Sequence, residues 1–201
     1  MDKRIILVGA FGEMVELAQI CNLTIVGIID NNLESSFRGI PIIGKDSDAP
    51  ALVEKYKSVP IIISPDQPTV RKRLFEYYES LGFSFAKMIS PLSTISPSAQ
   101  IGKGTVIQSH CNVSADSVIG DFCKLNTFAN VMHNNRVGSF TTVAPNAVLL
   151  GYVTIGESVY IGANSTVLPS INIDSNTIVG AGAVVTKNVA NGVVVKGVPA
   201  K

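Results

Sequence analysis

The sequence predicts an α/β domain of Rossmann type over residues 1–88, followed by an all-β parallel β-helix over residues 89–201. Two patterns in the second half predict the coil: aliphatic residues recur at every sixth position, and glycines recur at intervals of eighteen. A third pattern predicts the first domain, where apolar strand-like runs alternate with helical segments, as they do in folds built on a parallel sheet.

The six-residue period runs from Ile89 to Val185 without a break. A helix repeats about every 3.6 residues and a strand about every 2, so neither alone produces this spacing. A short strand followed by a turn does produce it, which is the pattern of a hexapeptide parallel β-helix. The seventeen positions are Ile89, Ile95, Ile101, Ile107, Val113, Ile119, Leu125, Val131, Val137, Val143, Leu149, Ile155, Ile161, Val167, Ile173, Val179 and Val185.

Glycines that follow a repeat aliphatic indicate that three hexads form one coil with a triangular cross-section. Their interval is eighteen residues, and glycine tolerates the positive φ of a tight corner. These glycines are Gly102, Gly120, Gly138 and Gly156, with a second pair at Gly162 and Gly180. The fourth residue after each aliphatic is usually small, as a narrow interior requires, and we expect both sets to point inward.

In the first domain, Arg4–Ala10 is expected to be a buried strand ending in a glycine turn, Phe11–Ile20 a helix and Thr24–Asp30 a second strand, which together form a β-turn-α-β unit. The remaining expected segments are a loop at Asn31–Arg38, an extended run at Gly39–Gly44, a helix at Ala49–Lys57, a strand at Val59–Ser64 and a helix at Pro68–Leu81. The boundary is expected near Met88–Ser90. The tail Val193–Lys201 leaves the six-residue register and should pack back on the coil.

Composition excludes several classes of function. The chain has 201 residues, 15% of them charged, and a net charge of +1, which gives no electrostatic footprint for nucleic acid or an anionic membrane. No signal peptide and no run of transmembrane length is recognisable. Cys111 and Cys123 occupy small inward positions, so we expect core thiols in a reducing cytoplasm. Two histidines are too few for a three-histidine zinc site, and we expect no metal.

The whole chain resembles a bacterial family of hexapeptide-repeat nucleotide-aminosugar N-acetyltransferases and sialic acid O-acetyltransferases, which includes enzymes for the 4-amino group of a UDP-linked sugar. The motifs that carry the resemblance are the turn Gly9–Gly12, the strand ending at Asp30, the segment Gly39–Gly44, the run Leu125-Asn126-Thr127, the histidine His133, and the tail motifs Val179–Ala183 and Gly197–Lys201. The resemblance implies a left-handed coil and a cytoplasmic homotrimer with active sites between subunits. It also implies acetyl-CoA as co-substrate and acetylation of a UDP-linked amino sugar in bacterial surface glycan synthesis.

The resemblance also assigns roles to residues. His133 becomes the general base, with Asn134 beside it, and the Gly151 amide contacts the acetyl group. The substrate-binding set is Gly9, Ala10, Gly12, Asp30, Asn31 and Asn126, and the set that contacts acetyl-CoA is Thr142, Gly151, Ala163, Ala181 and Pro199.

Spacing within the coil independently supports the assignment of His133 to the active site. Gly151 lies eighteen residues after His133, so the two should stack on neighbouring coils. Beside them runs an apolar column of Met132, Leu150 and Leu168, and an outward apolar stripe typically marks an interface. Imidazole can accept the proton that an attacking amine or hydroxyl loses, and a glycine N–H can stabilise the developing oxyanion. We interpret His110 as a solvated or interface residue.

Three departures from the family pattern keep alternatives open. Asn134 stands where the family has an acid, which favours N- over O-acylation, and Glu13-Met14 and Asn31 replace the usual His-Gly and a second acid. Gly9 and Gly12 could contact phosphate or only form a turn, and Asp30 could contact the nucleotide or only start a turn. The alternative functions are a sugar or sialic acid O-acetyltransferase and a catalytically impaired trimeric binding scaffold.

Overall fold

The computed structural model describes residues 3–201. The amino-terminal domain contains strands β1 Arg4–Val8, β2 Thr24–Ile29, β3 Ser36–Phe37, β4 Ile40–Gly44 and β5 Ile61–Ile63, and helices α1 Gly12–Ile20, α2 Ala49–Lys55 and α3 Pro68–Ser80, with a short 3-10 turn at Asp46–Asp48. The sheet order is β3-β4-β2-β1-β5, and all its pairs are parallel except β3 with β4. The predicted strand–helix order is confirmed.

Strand β1 is buried on both faces, which explains its unbroken run of aliphatic residues. Successive side chains of a strand point to opposite faces. Ile5 and Leu7 pack in the cluster that contains Met14 of α1, whereas Ile6 and Val8 pack with Leu74 of α3. Helices therefore cover both sides of the sheet.

Strand β3 was missed, because Asn31–Arg38 was expected to be a loop. Its hairpin with β4 turns through Arg38 and Gly39, whose φ angles are 50° and 80°. A type I′ hairpin turn needs positive φ at both central residues, and Arg-Gly is a weaker sequence signal for it than Asn-Gly.

The second domain is a stack of two-residue strands in three parallel sheets. The strands are β6 Met88–Ile89, β7 Thr94–Ile95, β8 Gln100–Ile101, β9 Val106–Ile107, β10 Asn112–Val113, β11 Val118–Ile119, β12 Lys124–Leu125, β13 Asn130–Val131, β14 Arg136–Val137, β15 Thr142–Val143, β16 Val148–Leu149, β17 Thr154–Ile155, β18 Tyr160–Ile161, β19 Thr166–Val167, β20 Asn172–Ile173, β21 Ile178–Val179, β22 Val184–Val185 and β23 Val194–Val195. The first face has seven strands in the order β23-β21-β18-β15-β12-β9-β6, the second has six in the order β22-β19-β16-β13-β10-β7, and the third has five in the order β20-β17-β14-β11-β8.

The predicted interior of the coil is confirmed. Every repeat aliphatic ends a strand, and those from Ile107 to Val185 are at most 3% exposed. Cys111 and Cys123 are buried free thiols in the same core. The tail leaves the register as expected, because β23 pairs Val194 with Ile178, two residues short of the eighteen-residue interval.

The conformational reason given for the corner glycines was wrong. Positive φ occurs two residues later, at every sixth residue from Gly104 to Gly182, and most of these residues are not glycine. Gly120, Gly138 and Gly156 are required for another reason. A Cβ there would lie 2.7, 2.5 and 2.5 Å from backbone atoms of the next coil. The glycines therefore permit close stacking between coils.

Arg71 of α3 joins the two domains at the corner between the third and first faces. It is 1% exposed, and its guanidinium donates to the carbonyl oxygens of Phe122 and Phe140 in the coil and of Pro65 and Asp66 in the first domain. The rings of Phe122 and Phe140 pack on Phe75, with centroids 4.4 and 5.5 Å away. Within residues 3–201, no helix has the length and apolar character needed to cross a membrane.

Candidate active site

His133 and Gly151 lie at the corner between the second and third faces, one coil apart. Strands β13 and β16 pair in register, so the turns that follow them stack on each other. A Cβ added to Gly151 would lie 2.7 Å from Cε1 and 2.9 Å from Nε2 of His133. The imidazole therefore rests directly on the glycine, in space that any side chain at position 151 would occupy.

Asn134 determines the tautomer of the imidazole. Its Oδ1 lies 2.9 Å from His133 Nδ1, and an amide oxygen can only accept, so Nδ1 carries the proton. In the neutral imidazole, Nε2 is then the nitrogen with the lone pair, and it lies on an exposed side chain. Asn134 has a φ of 59°, and Tyr152 packs edge-on against the imidazole at 5.3 Å.

The backbone of Gly151 offers an unused hydrogen-bond donor. Its carbonyl oxygen accepts from the Ser170 N–H at 3.0 Å, but among residues 3–201 its own N–H has no acceptor. An unpaired N–H beside an unprotonated imidazole nitrogen is the arrangement that stabilises an oxyanion next to a general base.

A second concave site lies in the first domain, at the carboxyl ends of β1 and β2. This cleft of about 230 Å³ is lined by Gly9, Asp30 and Asn31 from the predicted set, and by Phe11 and Arg73. In open parallel sheets, ligands bind at this edge, where the strand order reverses. Here β1 is the reversal point, since β2 and β5 flank it on either side.

The carboxylate of Asp30 accepts from the backbone N–H groups of Ala10 and Asn32, each at 2.9 Å. Asp30 therefore holds the β1–α1 turn in addition to lining the cleft. Asn31 is engaged with Asp46 through two hydrogen bonds of 2.7 and 2.9 Å. Gly12 lies away from the lining, and a Cβ there would meet the Arg38 guanidinium at 2.7 Å.

Sequence reasoning missed Phe11 and Arg73, although Arg73 lies in α3, the helix that follows β5. It also missed a buried cation at the domain junction. Lys124 is 1% exposed and lies 2.8 Å from a carboxylate oxygen of Asp66. Asn126 donates weakly to the same carboxylate at 3.3 Å, and its buried Oδ1 has no partner within residues 3–201.

Asn126 and His133 are not brought together in one chain. Asn126 follows β12 at the start of the second face, whereas His133 follows β13 at the end of that face. The cleft lies on the Asn126 side, because Pro65 lines it and Asp66 contacts Asn126. Within one chain, the second face therefore separates the cleft from the imidazole.

Comparisons with known proteins place this chain in a family. The family model for bacterial transferase hexapeptide (six repeats) matches residues 152–187. The acetyltransferase domain of PglB from Neisseria gonorrhoeae FA1090 is 31% identical over 99% of this chain and 98% of that chain, with a TM-score of 0.90. PerB from Caulobacter crescentus, solved with CoA and GDP-perosamine, is 31% identical over 98% of this chain and 95% of that one, with a TM-score of 0.92.

This chain belongs to the hexapeptide-repeat nucleotide-aminosugar acetyltransferase family. Its parallel sheets and repeats fit a left-handed β-helix. An uncharacterized protein of Acanthamoeba polyphaga mimivirus is 38% identical over 110 residues, which is 54% of this chain. The match covers 21% of the viral protein, so the chain spans about a fifth of that relative.

The residues expected to contact acetyl-CoA occupy different environments in this acetyltransferase. Ala163 and Ala181 stack on neighbouring coils at the corner between the first and second faces, where Gly182 N–H donates to Ala163 O at 2.8 Å. Pro199 is exposed in the tail. The structure contradicts the expectation that Thr142 contacts acetyl-CoA. It is fully buried against the first domain, where its hydroxyl donates to Asp66 O at 2.6 Å, so it has no surface open to a coenzyme.

Within residues 3–201, no group of three or more His, Cys, Asp or Glu side chains is arranged to hold a metal ion.

Proposed function

We propose that this acetyltransferase uses acetyl-CoA to acetylate the amino group of a nucleotide-linked sugar, with a UDP-sugar as the first candidate, in bacterial surface glycan synthesis in the cytoplasm. The observation that carries the proposal is the imidazole of His133, with a free Nε2, resting on a glycine whose N–H is unpaired. The related structures support the reaction class, because PerB is solved with CoA and an amino sugar nucleotide.

The reaction is a direct acyl transfer. The sugar amine attacks the thioester carbonyl, a nitrogen–carbon bond forms, and the carbonyl oxygen becomes an oxyanion that the Gly151 N–H stabilises. Nε2 of His133 takes the proton that the nitrogen loses, while Asn134 holds Nδ1–H. The carbon–sulfur bond then breaks, and CoA leaves with the proton returned from Nε2.

Asn134 favours an amine acceptor over a hydroxyl. Its amide oxygen orients the ring but carries no charge to stabilise the imidazolium. An amine is a better nucleophile than a hydroxyl and needs less assistance from the base. O-acetylation of a sugar or sialic acid remains the second candidate.

The nucleotide is proposed to bind residues 1–88 in the cleft at Gly9 and Asp30, and acetyl-CoA to bind residues 89–201 along Ala163, Ala181 and Pro199. Because the second face separates the cleft from His133 in one chain, we propose that a homotrimer completes each site with residues of two subunits. Met132, Leu150 and Leu168, which are half-buried at the His133 corner, would lie in that subunit interface.

The test is release of CoA thiol, with mass spectrometry of the product, using acetyl-CoA and a panel of UDP- and GDP-linked 4-amino sugars. His133→Ala should lower kcat by about 10²–10⁴-fold, the usual contribution of a general base. His110→Ala is the matched control, because His110 is exposed at another corner and stacks on Phe128. It should leave kcat unchanged.

Arg73→Ala tests separately whether the nucleotide sugar binds in the cleft of the first domain. Loss of a charge-assisted hydrogen bond should raise the KM for the nucleotide sugar by about tenfold and leave the KM for acetyl-CoA unchanged. A wild-type protein that binds neither substrate would support the scaffold alternative. Equal rates for the two histidine variants would refute the assigned base.

A further inference from the structure

The inner column of the coil contains one residue of unusual chemistry. The last residue of each corner turns inward, and most members are small or aliphatic. The members are Thr105, Cys111, Ser117, Cys123, Ala129, Asn135, Thr141, Ala147, Val153, Val159, Ser165, Ile171, Thr177 and Ala183. Asn135 is the one carboxamide among them, and it is 0% exposed.

The hydroxyl members of the column bridge neighbouring coils in a regular way. Thr141 Oγ1 donates to Gly156 O at 3.0 Å and accepts from Val159 N–H at 3.2 Å. Ser117 makes the equivalent pair with Met132 O at 2.8 Å and with Asn135 N–H at 3.2 Å. Each of these hydroxyls therefore forms two hydrogen bonds, both to the coil that follows.

Asn135 bonds both its own turn and the turn of the next coil. Its Nδ2 donates to Met132 O at 3.0 Å and to Leu149 O at 3.2 Å, and its Oδ1 accepts from Val153 N–H at 2.6 Å. Met132 immediately precedes His133, while Leu149 and Val153 bracket Gly151. The side chain thus connects the turn that carries the imidazole to the turn that carries the free N–H.

We propose that Asn135 is a positioning residue that sets the spacing between His133 and Gly151. The effect of Asn135 on the reaction rate rests on the proposed function. Backbone hydrogen bonds also join these two turns, from Met132 N–H to Leu149 O at 2.9 Å and from Tyr152 N–H to His133 O at 3.2 Å. Asn135 adds to them the buried side-chain link. A displacement of about 1 Å between reacting groups can lower a rate by about 10²-fold, so a buried link between the turns matters for catalysis even though it touches no substrate.

The test substitution is Asn135→Val, because valine already occupies the same column at Val153, one coil further on. Two acceptors keep a partner: Met132 O still receives Ser117 Oγ at 2.8 Å, and Leu149 O still receives Met132 N–H at 2.9 Å. The Val153 N–H loses its acceptor. Thr141→Val is the matched control, since it orphans the Val159 N–H at a corner away from His133.

We expect similar melting temperatures for the two variants. Asn135→Val should lower kcat by about tenfold or more, with the KM for acetyl-CoA within about twofold, while Thr141→Val keeps the wild-type kcat. In the His133→Ala background, Asn135→Val should lower kcat less than about twofold, because residues that act as a unit are non-additive. A kcat equal to that of Thr141→Val, or an undiminished loss in the His133→Ala background, would overturn the inference.

A measurement independent of turnover separates this inference from the proposed function. The chain has two histidines, so ring ¹⁵N spectra of ¹⁵N-histidine-labelled protein resolve His133 with His110 as an internal control. Asn135→Val should shift the ring signals of His133 and, in uniformly labelled protein, the amide signal of Gly151. The His110 signals should stay in place. If the wild type acetylates no acceptor, the proposed function fails, yet shifted His133 signals still support the spacing role and unshifted ones refute it.

Discussion

Gly151→Ala is expected to abolish most activity while leaving the fold intact. The new Cβ would lie 2.7 Å from His133 Cε1, whereas ordinary contact begins at 3.4 Å, so the imidazole must withdraw by about 0.7 Å (3.4 minus 2.7). Gly151 does not have a positive φ, so alanine fits its backbone, and the exposed ring can turn away. We therefore expect an unfolding free energy within about 0.5 kcal/mol of wild type.

The displaced ring should lower kcat by about 10²-fold, since sub-ångström to 1 Å errors in a reacting geometry have effects of that order. Thiol-release kinetics measure this, and urea unfolding measures stability. Gly138→Ala is the contrasting control, because its Cβ would lie 2.5 Å from backbone atoms of Gly156, which cannot turn away. It should destabilise the coil by about 1–3 kcal/mol. A Gly151→Ala enzyme with wild-type kcat would refute the idea that the imidazole must lie directly on Gly151 to act as the base.

Three further predictions concern the ring partner, the domain junction and the core thiols. Asn134→Asp places a carboxylate at Nδ1 and should raise kcat severalfold by stabilising the imidazolium, whereas Asn134→Ala should lower it; equal rates in steady-state assays would contradict the orienting role. Arg71→Met leaves buried carbonyls at Phe122 and Phe140 without their donor and should reduce the unfolding free energy by about 3–5 kcal/mol in urea, and an unchanged midpoint would contradict this. Burial raises the pKa of Cys111 to about 11 and that of Cys123 to about 12. Above the unfolded pKa of 9.0 the unfolded chain loses these protons first, so the stability that the two thiols contribute should be constant below that pH and should fall above it, by up to about 1.4 kcal/mol per pH unit for each thiol. A Cys111→Ala/Cys123→Ala variant with the same pH dependence would contradict the assignment.

Much of the site could be predicted because the coil is periodic. A strict eighteen-residue circuit determines which residues stack, so the contact between His133 and Gly151 follows from arithmetic on the sequence. No period in the sequence predicts which residues meet at the domain junction. Asp66 and Arg71 are far from Lys124 and Phe122 along the chain, and the two pairs meet only because α3 docks on one corner of the coil. The prediction for Thr142 failed for this reason, because a position that faces outward in an isolated coil is covered by the first domain.

For the corner glycines and Asn135 as well, the sequence predicts the position in the coil but not the physical role. The spacing of the glycines located the corners, but their conformational role was misassigned, because φ depends on where the backbone turns rather than on which residue is smallest. The period places Asn135 in the inward set, four residues after Val131, but it does not show which donors and acceptors a carboxamide meets there.

The sequence by itself therefore determined the α/β-plus-coil architecture, the inward columns and the pairing of His133 with Gly151, because each depends on local strand propensity and a fixed period. Only the tertiary structure decided the tautomer of the imidazole, the burial of Thr142, the Arg71 junction and the bridging role of Asn135. These depend on which donor meets which acceptor across distant segments, and that is set by the docking of whole elements.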